Sequence, residues 1–197
     1  MRIILVIVLF LFSQNVLAQK LMILGDSLSA AYGLQESQGW PALLAKKTEL
    51  TLINASISGE TTSGGLARLP ALLKQHQPDW VLIELGGNDG LRGFNPTLIE
   101  NQLQQMITLV KQHNAVPLLM QIRIPPNYGP RYVERFTDIY PKLAKQEQVT
   151  LWPFFMDEIA VNPDLMMQDG IHPNAQAQPI IRDFMYELVS GLTQNAD

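Results

Sequence analysis

Apolar positions along this chain change rhythm again and again, and the changes cut it into alternating short and long blocks. The short blocks, residues 21–25, 51–54, 80–85, 116–122 and 149–152, are mostly apolar runs with turn-forming residues near their ends. Strands covered on both faces read this way, because neither side of the strand meets water. The long blocks, residues 40–47, 64–75, 96–112, 132–146 and 175–192, repeat apolar residues every three or four positions, as helices with one buried face do. In residues 96–112 that face is Leu98, Ile99, Leu103, Met106, Ile107 and Val110, and in 175–192 it is Ile180, Ile181, Phe184, Met185, Leu188 and Val189. Pro41 suits a first helical turn. Pro70 predicts a kink or a late start, and Pro141 an interruption. Five strands separated by helices imply a parallel sheet with helices on both faces. The expected fold class is α/β, a single three-layer α/β/α domain over residues 19–197.

The first residues break this alternation. Arg2, an apolar run over 3–12 and the small residues of Val16-Leu17-Ala18 form a secretory leader over residues 1–18, with cleavage expected after Ala18. The apolar run is too short to cross a bilayer core of about 30 Å, so no stable membrane anchor is expected. Composition narrows the rest. Of 197 residues, 47% are hydrophobic and 16% charged, enough to pack one core. A net charge of −4 argues against a nucleic-acid partner. The chain has no cysteine, which excludes disulfides, thiol catalysis and thiolate metal sites.

In open parallel sheets, ligands bind beyond the carboxyl ends of the strands. The segments expected there are Gly25-Asp26-Ser27-Leu28-Ser29, Ser56 to Thr61, Gly86-Gly87-Asn88-Asp89-Gly90, Arg123 to Asn127, and Asp169-Gly170-Ile171-His172-Pro173. Acyl transfer needs a nucleophile, a base, a group that orients the base, and donors for an oxyanion. Ser27 supplies a hydroxyl, His172 a base, and Asp169, three residues earlier, an acceptor for the imidazole. The N–H groups of Ser27, expected at a helix start, and of Gly59, with the side-chain amide of Asn88, supply oxyanion donors. Each piece has a plain alternative: Ser27 as a helix cap, Asn88 as a turn residue, Asp169 to His172 as an ordinary loop. Their convergence on one sheet edge favours the chemical reading. Asp26 and Asp89 read as groups that orient these loops. His76 and His113 end helices and read as solvated residues. Ser27 lacks the Gly-x-Ser-x-Gly elbow, since position 29 is Ser. No phosphate-binding glycine loop is present. Hydrolysis without a cofactor or metal remains.

Gly25-Asp26-Ser27-Leu28-Ser29, Gly59, Gly87-Asn88-Asp89 and Asp169-Gly170-Ile171-His172 resemble the four sequence blocks of the SGNH hydrolases, also called GDSL esterases and lipases. "NASISGE", "LLMQIRIPPNYG" and "DGIHPN" extend the resemblance along the chain that follows the leader. It implies a flavodoxin-like fold with Ser27, Asp169 and His172 as catalytic triad and Ser27, Gly59 and Asn88 as oxyanion donors. It implies hydrolysis of thioesters, aryl esters and lysophospholipids, with fatty-acyl chains bordered by Leu91, Arg92, Gly93, Phe94, Ile124, Pro125 and Pro126. Ala31 stands where relatives often have glycine, and Pro126 replaces a small residue. The expected partner is a small-molecule acyl ester or thioester, acted on by a secreted or periplasmic monomer. Deacetylation of carbohydrate, or binding without catalysis, are the rival readings.

Overall fold

The structure, a computed structural model, describes residues 18–194. Of the leader expected over 1–18, residues 1–17 lie outside the described residues. The elements follow in the order β1 (Lys20–Gly25), α1 (Trp40–Ala45), β2 (Thr51–Asn54), α2 (Thr62–His76), β3 (Trp80–Glu84), α3 (Gly87–Leu91) and α4 (Pro96–Gln112). Then come β4 (Val116–Met120), α5 (Pro130–Thr137), α6 (Ile139–Glu147), β5 (Thr150–Trp152) and α7 (Ala177–Gln194). The five strands form one parallel sheet in the order β2-β1-β3-β4-β5. This is the flavodoxin-like order.

That order dictates the layers. Right-handed crossovers put a helix on one face when the chain steps one way across the sheet, and on the other when it steps back. The step from β1 to β2 reverses from β2 to β3. Helix α1 accordingly packs against α7, while α2, α4 and α6 pack beside one another. Residues 21–24 of β1 and 81–83 of β3 have no exposed surface, as central strands sandwiched by helices should. Edge strand β2 is exposed at both ends and half-buried at its two central residues.

The prolines act as local chemistry requires. Helix α2 starts early, at Thr62, capped by Thr61, whose side chain accepts from the Gly64 N–H, and continues through Pro70. Pro70 is exposed, so water can take the carbonyl it leaves unpaired. Pro141 divides the block expected over 132–146 into α5 and α6. Pro141 sits in the first turn of α6, where a missing N–H costs nothing; were α5 to run on through it, its ring would clash with the Thr137 carbonyl, so the break falls at Asp138. The freed Thr137 carbonyl accepts from Gln121 Nε2 at 3.3 Å. Two helix-face assignments are corrected. Leu98 and Ile180 are 50% and 46% exposed, because each lies at the solvent edge of its apolar stripe, beyond reach of the sheet.

Candidate active site

The sheet order changes direction between β1 and β3, so the loops leaving these neighbours diverge and open a crevice. Their register places Gly25 beside Glu84. Asp26 and Ser27 therefore emerge next to Gly87 and Asn88.

Ser27 begins a series of turns that reaches Gly33, not the regular helix expected there. The left-handed backbones of Ala31 (φ 56°) and Gly33 (φ 70°) divert the chain from a helical course. Nor does Ser27 act as a cap. Asp26 does: its Oδ1 accepts from the Leu28 N–H at 3.1 Å, and its carbonyl from Ser29 and Ala30. The Ser27 hydroxyl is left to meet His172 Nε2 at 2.8 Å.

His172 reaches Ser27 from a loop shaped by Asp169. Asp169 Oδ1 accepts the Ile171 and His172 N–H groups at 2.9 and 3.0 Å, while Oδ2 lies 2.7 Å from His172 Nδ1. The His172 backbone N–H, followed by its ring and the Ile171 N–H, holds the Asp169 carboxyl down at about 2. An ionised carboxylate only accepts. Nδ1 therefore carries the imidazole proton, and Nε2 turns its lone pair to the Ser27 hydroxyl. The Met167 N–H donates to the His172 carbonyl at 2.8 Å, which braces the loop.

Three donors are left unspent on the loops that leave β1, β2 and β3. The N–H groups of Ser27 and Gly59 have no hydrogen-bond partner among the described residues. Gly59 has φ 79°, a conformation that suits glycine. Asn88 gives one amide hydrogen to Asp26 Oδ2 at 3.0 Å and keeps the other. Behind them lie carboxyl groups that water barely reaches. Burial raises Asp26 to about 6, against the pull of the Leu28 N–H, His172 and Asn88. Glu84 is pushed well up by burial and by the adjacent Asp26. It accepts from the Ser29 hydroxyl at 2.7 Å and the Asp26 N–H at 3.3 Å. Asp89 faces Thr62, accepting from its N–H at 2.9 Å and its hydroxyl at 2.7 Å. Asp89 too is raised by burial.

A cleft of about 580 Å³ opens from Ser27, His172 and Asn88. Leu91, Ile122, Ile124, Pro125 and Pro126 line it from the loops after β3 and β4, and Phe154, Met156, Ala160, Val161 and Met166 from the segment after β5. Of the residues expected to border an acyl chain, Arg92, Gly93 and Phe94 lie outside this lining. Arg92 Nη2 donates to the Gly59 carbonyl at 3.3 Å, and the Phe94 carbonyl accepts from the Tyr132 hydroxyl at 2.7 Å. Gly59 lies outside the lining as well. His113 bonds the Leu109 carbonyl through Nδ1, and the His76 carbonyl accepts from Lys20 at the opposite end of β1. Sequence reasoning missed the wall after β5, which has no motif. It also missed Glu84, whose one signal was a lone carboxyl in an apolar strand, and Tyr32. The Tyr32 ring stacks on His172 with centroids 4.1 Å apart.

An Asp–His–Ser relay on a flavodoxin-like sheet, with unspent donors beside the serine, has the makings of a hydrolase. The chain belongs to the GDSL-like Lipase/Acylhydrolase family, matching it over residues 23–179. It is 58% identical over 180 residues to the Thioesterase 1/protease 1/lysophospholipase L1 of Escherichia coli K12, covering 90% of this chain and 86% of that one. It is 54% identical to the arylesterase of Vibrio mimicus, covering 89% of this chain and 90% of that one. Among solved structures, it is similar to the psychrotrophic esterase EstA of Pseudoalteromonas sp., inhibited by monoethylphosphonate. The TM-score is 0.86, the identity 48%, and the coverage 89% of this chain and 99% of that one.

Proposed function

We propose that this protein hydrolyses carboxylic esters and thioesters of fatty-acyl chains through an acyl-enzyme on Ser27. The observation that carries the reading is the continuous relay from Asp169 Oδ2 to His172 Nδ1 at 2.7 Å and from Nε2 to Ser27 Oγ at 2.8 Å. The names of the relatives, thioesterase, lysophospholipase and arylesterase, support the same chemistry.

Ser27 Oγ attacks the acyl carbonyl as His172 Nε2 takes its proton. The carbonyl electrons move onto oxygen, where the Ser27 and Gly59 N–H groups and the free Asn88 hydrogen receive them. Asp169 stabilises the imidazolium. As the tetrahedral centre collapses, the bond to the alcohol or thiol breaks, and His172 returns the proton to that leaving group. Water then repeats the attack, giving its proton to His172, which passes it on to the departing Ser27 Oγ. Ser27 is released together with the fatty acid. The apolar cleft favours a fatty chain over the acetyl group of a carbohydrate. The leader read over residues 1–18 supports work outside the cytoplasm, in the periplasm or secreted. N-terminal sequencing that begins at Gln19 checks the cleavage.

Ser27→Ala abolishes turnover of p-nitrophenyl octanoate and removes labelling by a fluorophosphonate. Turnover near that of the parent overturns the assignment. Across esters from acetyl to palmitoyl the optimum lies at a medium or long chain, and an optimum at acetyl overturns the fatty-acyl part.

A further inference from the structure

We infer that Tyr32 is a positioning residue for His172, holding the imidazole plane in the attitude that proton transfer requires. This inference rests on the reading of Ser27 and His172 as nucleophile and base.

The two hydrogen bonds of His172 fix the ring along one line only. Asp169 holds Nδ1 and Ser27 meets Nε2. Both act at the ring's edge, and neither backs its faces against rocking out of plane, which swings the Nε2 lone pair away from the serine proton. A flat group against the face of the ring blocks that motion. Tyr32 is such a group: its ring lies 4.1 Å from the imidazole, centroid to centroid, at an interplanar angle of 28°. An aromatic face also favours the imidazolium that forms during the reaction over the neutral ring, as π systems favour cations.

The loop is built to hold Tyr32 there. Both of its neighbours have left-handed backbones, Ala31 at φ 56° and Gly33 at φ 70°. For a buried alanine this is a costly conformation, kept only where the surroundings enforce it. The Tyr32 N–H points at the Ser27 carbonyl, at 3.4 Å. The same stretch of chain thus meets the nucleophile through its backbone and the base through its side chain. Gly33 leaves just enough room for Met167, whose Cε would lie 3.2 Å from an added Cβ. Met167 in turn donates its N–H to the His172 carbonyl. Beyond the Ser27–His172 hydrogen bond, the serine turn and the histidine loop therefore meet at two further places, and Tyr32 is the one that covers the face of the ring. Its role is not that of core packing, since Tyr32 is 47% exposed. Its hydroxyl makes no hydrogen bond among the described residues, so the ring alone is used. Tyr32 does not line the acyl cleft.

The test compares Tyr32→Leu with Tyr32→Phe and Ser27→Ala, using p-nitrophenyl butyrate and the rate of fluorophosphonate labelling. In Tyr32→Leu, kcat falls by about 5-fold to 20-fold and labelling slows in parallel, while KM stays within about twofold. Tyr32→Phe retains the parent values. The low-field proton NMR signal of His172 Nδ1–H is kept in the Phe variant and broadened in the Leu variant. The thermal midpoint of both variants stays close to that of the parent, which separates positioning from a general loss of fold. Unchanged kcat and labelling in Tyr32→Leu overturn the inference. So does a rise in KM alone, which would make Tyr32 a substrate wall. So does an equal loss in Tyr32→Phe, which would assign the work to the hydroxyl. Full activity in Ser27→Ala instead overturns the underlying hydrolase reading, so the two failures are distinguishable.

Discussion

Replacing Asp26 by Asn should separate stability from catalysis. Asp26 lies 4% exposed behind the nucleophile. Burial raises its carboxyl from 3.8 to about 6, so keeping it ionised above pH 6 costs the fold about 3 kcal/mol. Below about pH 4, folded and unfolded chains both hold this proton. Between about 4 and 6 the folded chain keeps it while the unfolded chain has lost it, so this group lowers stability as pH rises through that window. Asparagine has no such charge. Its amide oxygen can still accept the Leu28 N–H, but its nitrogen then faces Asn88 Nδ2, which now donates to Asp26 Oδ2 at 3.0 Å. Losing a charge-assisted bond takes back about 2 kcal/mol of the gain. Asp26→Asn should thus match the parent in stability at pH 8 to within about 2 kcal/mol and show a flatter stability profile between pH 4 and 6. With two amide nitrogens opposed, Asn88 must turn, and kcat should fall by roughly 10²–10³. Urea unfolding across pH and hydrolysis of p-nitrophenyl butyrate measure the two effects. Parent-like kcat would refute the claim that Asp26 holds Asn88 in place. An unchanged pH slope would refute the cost assigned to the buried charge.

Asn88→Ala removes the amide and takes its donor from buried Asp26, so it should lower kcat by roughly 10²–10³ and destabilise the protein by about 2 kcal/mol at pH 8; steady-state kinetics beside a urea curve checks it. Glu84→Ala strands the Ser29 hydroxyl and the Asp26 N–H without their acceptor in a buried site. It should destabilise the protein by about 3–5 kcal/mol. Glu84→Gln keeps an acceptor and should stay within about 1 kcal/mol of the parent near neutral pH. Because the Glu84 carboxyl is raised above 4.5, its ionisation lowers the parent's stability as pH rises above that value. The Gln variant should lose less stability toward alkaline pH, as read by thermal unfolding at pH 5 and 8.

Much of this architecture is written locally. Short apolar runs and period-3.6 patterns are properties of neighbouring residues, so β1 to β5 and the long helices could be located from local sequence alone. Pro141 marked the break between α5 and α6, because a proline clashes with the carbonyl four residues earlier. The residues at the strand ends, Ser27, Asn88, Asp169 and His172, were legible because a parallel sheet delivers all its carboxyl ends to one edge. What lay beyond reach were relations between segments distant in the chain. Strand order is one of them, and it alone decides that the loops after β1 and β3 border a shared crevice. Burial is another: Asp26, Glu84 and Asp89 are ordinary acids in the sequence, and only tertiary packing removes their water and raises them. The cleft wall after β5 and the Tyr32 ring on His172 carry no spacing signal, since each is set by how two loops dock. Ser27 joins both kinds of information. Its neighbours in sequence place it at the end of a strand, but its partner stands 145 residues away, and only the closed fold brings that imidazole within reach of its proton.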